Sequence, residues 1–345
     1  MSNRIRDDFL RQAGACDMLG SPFTARVCRL LAKRLDMGSH FGARVLGWAG
    51  DPQADALPLR AAGGFHALKR RGDAVLAKVY PPHEADDETL WAALALAIAR
   101  DDDFLHDFLD SAPQTNEVSR SNAILGAALH VARRAGLPLA IREIGSSAGL
   151  NLGFDGYAFE LGKARWGDPA SPVRIAAEWH GRLPPLDAPL RIVSRKGCDL
   201  NPLDARNEAS RERMLSYIWP DQTARLARIE AALDAAARCG VAVEKADAGE
   251  WVEREFAGEA HMGEARVLIH TIVWQYLPDA VKTRISLAME RAAAKAARSA
   301  PLAWIGVEAD TKDKASACIR LRLWPGGTDE ELGRADFHGR WARWD

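Results

Sequence analysis

The chain has 345 residues, 48% hydrophobic and 27% charged, with a formal net charge of −1. This size and balance imply a soluble globular protein of two domains, and the near-zero charge gives no long-range attraction to nucleic acid or an anionic membrane. The five cysteines (Cys16, Cys28, Cys198, Cys239, Cys318) form no C-x-x-C pair and the nine histidines no H-x-x-x-H pair, which argues against a disulfide framework or a structural metal.

The opening stretch, MSNRIRDDFLRQAGACD, is charged and lacks the apolar core of a signal peptide. The apolar run LWAALALAIAR is too short to span a bilayer, so a cytoplasmic protein is expected. Residues 1–136 read as an all-α domain. In GSPFTARVCRLLAKRL, Ser21 is placed as N-cap and Pro22 at the first helical position, with Phe23, Val27, Leu30 and Leu31 on one face. Further helices are predicted in DDETLWAALALAIARD and in RSNAILGAALHVARRAG, which ends on Gly136 as C-terminal signal. Between them, RAAGGFHALKRRGD and SAPQTNEVSR read as broken by turn formers, the basic LKRR within the former as a solvated face.

After Gly136 the pattern changes. LPLAIREI, PLRIVSR, VAVEKAD, RVLIHTIVW and LAWIGVEAD are strand candidates, and helical segments separate several of them. Strands alternating with helices predict a parallel sheet with helices on both faces. ACIRLRLWPGG and ELGRADFHGRWARW alternate around a Gly-Gly turn and read as a closing antiparallel hairpin. The alternation fails at 151–189, where YAFELG and PVRIAAEWHG suggest an inserted hairpin.

The decisive stretch is EIGSSAGLN, residues 143–151. Gly145-x-Ser147-x-Gly149 matches the nucleophile elbow of serine hydrolases, and Asp310 with His338 would complete the order of a triad. No earlier strand is available to supply oxyanion donors, so this ranks third. Neither G-x-G-x-x-G nor a P-loop is present. A nucleotide-binding turn fits better: Gly145 and Gly149 let backbone approach a ligand, amides after the turn could meet an anion, and Glu143 could hold an ammonium. Asp199, at the end of the next strand, could accept both hydroxyls of a ribose. Asp247 could accept from an adenine amine while Trp251 lies against the ring.

The order EIGSSAGLNL, GCDLNPLD, YIWPDQ, DAGEW, HTIVWQYLP resembles a bacterial family of unknown function. The C-terminal half of that family is similar to class I S-adenosylmethionine-dependent methyltransferases. The resemblance implies a Rossmann-like sheet of seven strands, the last two forming an antiparallel hairpin, behind a helical lid and substrate domain. It implies S-adenosylmethionine as cofactor, with Glu143, Gly145, Ser146, Ser147, Gly149, Asn151, Asp199, Asp247, Ala248 and Trp251 around it. The usual third glycine is absent, Asp199 lies about 50 residues beyond the turn, and [DN]-P-P-[YFW] is missing from the fourth strand, so nucleobase or amide N-methylation has no support. His270 is the expected base, Tyr276 its catalytic companion, and Thr271 with Gln275 would shape the acceptor pocket. Gln114, Thr115, Asn116, Glu117 and Arg120 are read as acceptor contacts from the loop before the last N-terminal helix. The expected function is methyl transfer to an unidentified small-molecule or protein acceptor; the alternative is a cofactor-binding protein without transfer activity.

Overall fold

The structure, a computed structural model, describes residues 2–114, 116–259 and 261–345. The chain forms two compact units, one of 1–115 with 208–230 and one of 116–207 with 231–345. The expected boundary after Gly136 therefore moves to the residue before Asn116, and 208–230 returns to the first unit.

The first unit is helical: α1 (Ser2–Met18), α2 (Pro22–Arg34), α3 (His40–Leu46), α4 (Leu57–Arg70), α5 (Ala74–Ala77) and α6 (Asp87–Phe108). Pro22 does open α2, but Ser21 makes no side-chain cap. The Phe23 amide instead donates to Asp221 Oδ2 at 2.8 Å, so the capping carboxylate comes from the returning segment. The stretch RAAGGFHALKRRGD, read as broken, lies largely within α4. Its paired glycines serve close packing: a Cβ on Gly63 would sit 2.8 Å from the Tyr217 ring, and one on Gly64 3.1 Å from Leu105. Arg70 is not a solvated charge either; it donates to Glu212 at 2.9 Å and to Glu230 at 3.3 Å.

In the second unit, α7 (Ser121–Ala135) precedes β1 (Leu139–Ile144). A left-handed Gly136 at φ +63° ends α7, as expected. The helix packs on the strands of its own unit, which is why it does not belong with the N-terminal helices; Gly126 lets it meet Trp344, whose ring would lie 2.5 Å from an added Cβ. There follow β2 (Ala158–Leu161), β3 (Ala164–Trp166), β4 (Arg174–Gly181), β5 (Ile192–Asp199), α8 (Glu208–Ser216) and α9 (Thr223–Cys239), of which α8 and the start of α9 lie in the first unit. The chain closes with β6 (Val243–Lys245), α10 (Ala248–Phe256), β7 (Ala265–Thr271), α11 (Asp279–Ala293), β8 (Leu302–Ala309), β9 (Ala317–Trp324), β10 (Thr328–Ala335) and β11 (Trp341–Trp344).

The strands form one large, mostly parallel sheet ordered β3-β2-β4-β11-β10-β9-β8-β7-β1-β5-β6, eleven strands among the described residues. Strands β6-β5-β1-β7-β8 are parallel, with the order of a doubly wound, Rossmann-like sheet. The antiparallel C-terminal part is longer than the expected hairpin: β8, β9, β10 and β11 run as a meander. The insertion also differs. β2 pairs antiparallel with β3, while β4 runs parallel to β2 and to β11, so the insertion extends the main sheet. YAFELG and PVRIAAEWHG are thus parallel neighbours, not two arms of a hairpin.

After the β2–β4 insertion at the far edge, the chain adds β5 and β6 outward of β1, then returns to β7 on β1's other side. The carboxyl ends of β1 and β7 therefore form a topological switch point, where open α/β sheets bind ligands. A core of Leu268, Trp304, Trp251, Phe256, Ile285 and Met289 lies between the sheet and the α10–α11 layer. No helix of the described residues is long and apolar enough to cross a membrane.

Candidate functional site

At the switch point the turn after β1 is held against its neighbours. Gly145 has φ +68°, and a Cβ there would meet Val273 at 2.6 Å. Gly149 has φ +72° with a would-be contact of 2.8 Å to Val241. Between them Ser147, which is no glycine, adopts φ +53°, and across the crevice Ile272 adopts φ +50°. A β-branched residue in the left-handed region is strained, and such strain persists only where the surroundings enforce it.

The turn's amides point inward. Ser146 N–H donates to Cys198 O at 3.0 Å and Gly149 N–H to Ser146 O at 2.7 Å, while Ser147 N–H donates to Asp199 Oδ2 at 2.9 Å. The amides of Ser146, Ser147 and Gly149 are therefore spent on the fold and not on a ligand anion. What the turn does offer is side-chain chemistry. Glu143 is 2% exposed, and burial pushes its carboxyl up to about 8. Hydrogen bonds with Ser146 and Asn151 oppose that shift, the Asp199 charge adds to it, and Arg120 pulls against it. Glu143 Oε2 and Ser147 Oγ are buried and have no hydrogen-bond partner. Orphaned buried polar atoms are rare, and each needs an explanation. Here two of them fall in one strained turn.

Several expected residues gather here. Asn151 Oδ1 accepts from Ser121 Oγ at 2.9 Å, tying the turn to α7. Asn116 Oδ1 accepts the Leu150 N–H at 2.8 Å. Glu117 is buried with Oε1 accepting from the Ser119 amide at 3.1 Å, and Arg120 Nε donates to Phe337 O at 2.8 Å. Gln114 belongs to the first unit, and Thr115 lies outside the described residues. Asp199 accepts from Ser147 and, on Oδ1, from the Asn201 amide at 2.8 Å; each carboxylate oxygen retains lone-pair capacity.

Others are placed differently. Asp247 is the N-cap of α10, its Oδ1 accepting from Gly249 at 2.9 Å and Glu250 at 3.1 Å. Ala248 and Trp251 are core residues of that helix, Trp251 being fully buried with Nε1 donating to Glu244. The indole supports the sheet and has no face to give an adenine. Gln275 is exposed, and Tyr276 is 74% exposed.

His270 is also turned away. Glu143 is in register with Ile269, and successive strand residues point to opposite faces. His270 therefore faces the α10–α11 layer, and Thr271 the Glu143 side. Trp304 Nε1, a donor only, bonds His270 Nε2 at 2.8 Å. That leaves the proton on Nδ1, which lies 2.7 Å from Glu308 Oε1. The imidazole is neutral, fully engaged and stacked on Trp274 at 5.0 Å, with no ring nitrogen to serve as base for the turn.

The Ser147 hydroxyl, lacking any hydrogen-bond partner, has no imidazole to activate it, and Asp310 is paired with Arg334 at 2.9 and 3.0 Å. Asp310, Cys318 and Glu331 bring ligand-type atoms within 4.8 Å of one another. The buried Arg334 guanidinium bonds both carboxylates and already supplies the positive charge. Glu308 and Trp304 were not expected at a site; the strand LAWIGVEAD was legible, but its alignment beside His270 was not.

A family model described as an uncharacterized protein conserved in bacteria (DUF2332) matches residues 6–344, and the chain belongs to that family. Comparison with curated proteins and with solved structures finds no match.

Proposed function

We propose that this DUF2332 chain is an S-adenosylmethionine-dependent methyltransferase of a small-molecule or protein acceptor, with the 143–151 turn holding the amino-acid end of the cofactor. The observation that carries this reading is the buried Glu143 Oε2 without a partner, in the same turn as the equally orphaned Ser147 Oγ, at the switch point of a doubly wound sheet. An ammonium offers Glu143 Oε2 the donor it lacks and adds a positive charge to the distant pull of Arg120. Ser147 Oγ can accept from the same ammonium or donate to the neighbouring carboxylate. Asp199, oriented by two amides, suits the hydroxyls of a ribose, and Asp247, which caps α10 through Oδ1 alone, keeps Oδ2 for the adenine side. When bound, the cofactor supplies a methyl group on a cationic sulfur. The chain's task is then to position donor and acceptor. With His270 committed to Trp304 and Glu308, the acceptor must arrive unprotonated or lose its proton to another group.

That commitment favours a second reading, a cofactor-binding protein without transfer activity. Calorimetry with S-adenosylhomocysteine tests the shared premise. Binding is expected, weakened about tenfold or more by Glu143→Gln, the usual scale for a lost buried charge-assisted bond. Folded protein that gives no heat would sink both readings. S-adenosylmethionine binding with no S-adenosylhomocysteine formed across amine, thiol, hydroxyl and carboxylate acceptors would select the second.

A further inference from the structure

A cavity of about 370 Å³ opens on the α11 face of β7, β8, β9 and β10, lined among others by His270, Trp274, Trp304, Gly306 and Glu308. Its size is within the range of small-molecule sites. Glycine at 306 keeps its floor low, since a Cβ there would lie 3.1 Å from the His270 ring. Trp274 and Trp304 form an aromatic corner, their centroids 5.7 Å apart and their planes at 61°.

The charges in the cavity do not cancel evenly. Arg320 and Arg322 both bond Asp329, at 2.8 and 3.2 Å. Lys312 bonds Glu331 at 2.8 Å. Glu308 is different. Its Oε1 takes the His270 Nδ1–H and, at 3.1 Å, the Val273 amide, and both donors are neutral because Nε2 of the imidazole is itself an acceptor. Its Oε2 is buried with no partner. The wall thus carries a carboxylate with no cation bonded to it, fixed in place by a histidine, next to two indoles. Indole faces attract cations, and the Arg322 guanidinium, 4.9 Å from the Trp304 centroid, shows that this corner accepts one.

We infer that this cavity binds a small organic cation, an amine or a guanidinium, with Glu308 as its counter-ion and His270 as the residue that positions Glu308. Glu308 and Glu143 are on opposite faces of the sheet, so the inference stands apart from the cofactor proposal. At Glu308 itself an anion would meet the carboxylate charge, with the Arg320 and Arg322 pair on Asp329 to attract it, and a neutral alcohol would leave Glu308 without a counter-charge.

The test uses the full chain, tryptophan fluorescence and calorimetry, with n-butylammonium and n-butylguanidinium as probes and n-butanol and butyrate as controls. Saturable binding of the two cations, but not the controls, is expected. Glu308→Gln keeps the oxygen that His270 and Val273 need and puts an amide N–H₂ where the orphan oxygen stood, and should weaken binding by about tenfold or more. Thr311→Trp fills the cavity from an exposed rim position and should abolish binding even if Glu308→Gln fails to fold. Glu143→Gln should leave the cation binding that depends on Glu308 unchanged, which separates this cavity from the ammonium site proposed at Glu143. Folded wild type without saturable cation binding, butyrate binding as tightly as butylammonium, or unchanged affinity in either cavity variant would overturn the inference.

Discussion

Glu143 combines burial, an unpartnered oxygen and a carboxyl pushed up to about 8, and the three together set how a ligand must behave. An ammonium binds the carboxylate, so below pH 8 its arrival must release a proton. Affinity for S-adenosylhomocysteine should therefore rise by about tenfold per pH unit between pH 6 and 8, a unit of pKa being about 1.4 kcal/mol. Glu143→Gln should flatten that profile, and calorimetry in buffers of different ionisation enthalpy should register the released proton. A pH-independent wild-type affinity would remove Glu143 from the binding step. The residue itself was legible in EIGSSAG, because an acid closing an apolar run before spaced glycines is a local pattern. Its orphaned oxygen was not, since that depends on how Asn151 at the turn's own end, Ser121 of α7 and Asp199 of β5 come together. His270 was misplaced for the same reason. The periodicity of β7 says that residues 269 and 270 face opposite ways, but only the register with β1 says which face is Glu143's.

Elements with a one-dimensional signature were readable: α2 with Pro22, α7 with Gly136, and the apolar strands β1, β7 and β8. The helix α4 was not, because glycines at 63 and 64 look like breakers until Tyr217 and Leu105 are seen lying against them. Propensity alone makes Gly→Ala in a helix interior stabilising by about 1 kcal/mol. Here the new Cβ at position 63 would be 2.8 Å from an aromatic ring, and Tyr217 is itself fixed by a hydroxyl donating to Ser111 O. Overpacking of this kind costs about 1–3 kcal/mol. Gly63→Ala should therefore destabilise on balance, seen as a lower urea midpoint at unchanged slope. A raised midpoint would mean that Tyr217 swings aside freely. The insertion strands β2 and β4 escaped for a related reason. Their alternation was visible, but pairing in parallel with each other and with β11 is a choice made across long stretches of chain.

The two units have separate cores, one around Phe9, Leu31, Phe41, Phe65 and Leu94 and the other under the α10–α11 layer, and each buries an ionisable group of opposite sense. In the first, His66 is 2% exposed with Nδ1 3.1 Å from Ser216 O, and burial lowers its imidazole to about 4. Between that value and the unfolded one near 6.5, the unfolded chain binds more protons, so the unit loses stability as pH falls. In the second, Glu143 at about 8 lies above its ordinary 4.5. Across that window the native state binds more protons, so this unit gains stability as pH falls. Each slope approaches about 1.4 kcal/mol per pH unit. Opening free energies differ between cooperative units of one chain, so hydrogen exchange corrected for intrinsic rates can follow both. Going from pH 7 to pH 5, amides of α4 and α6 should lose protection while those of β1 and β7 gain it. His66→Gln should flatten the first trend alone and Glu143→Gln the second alone. If both units shift in the same direction, and neither substitution changes its own unit's slope, the two buried groups do not govern the acid response of the units that hold them.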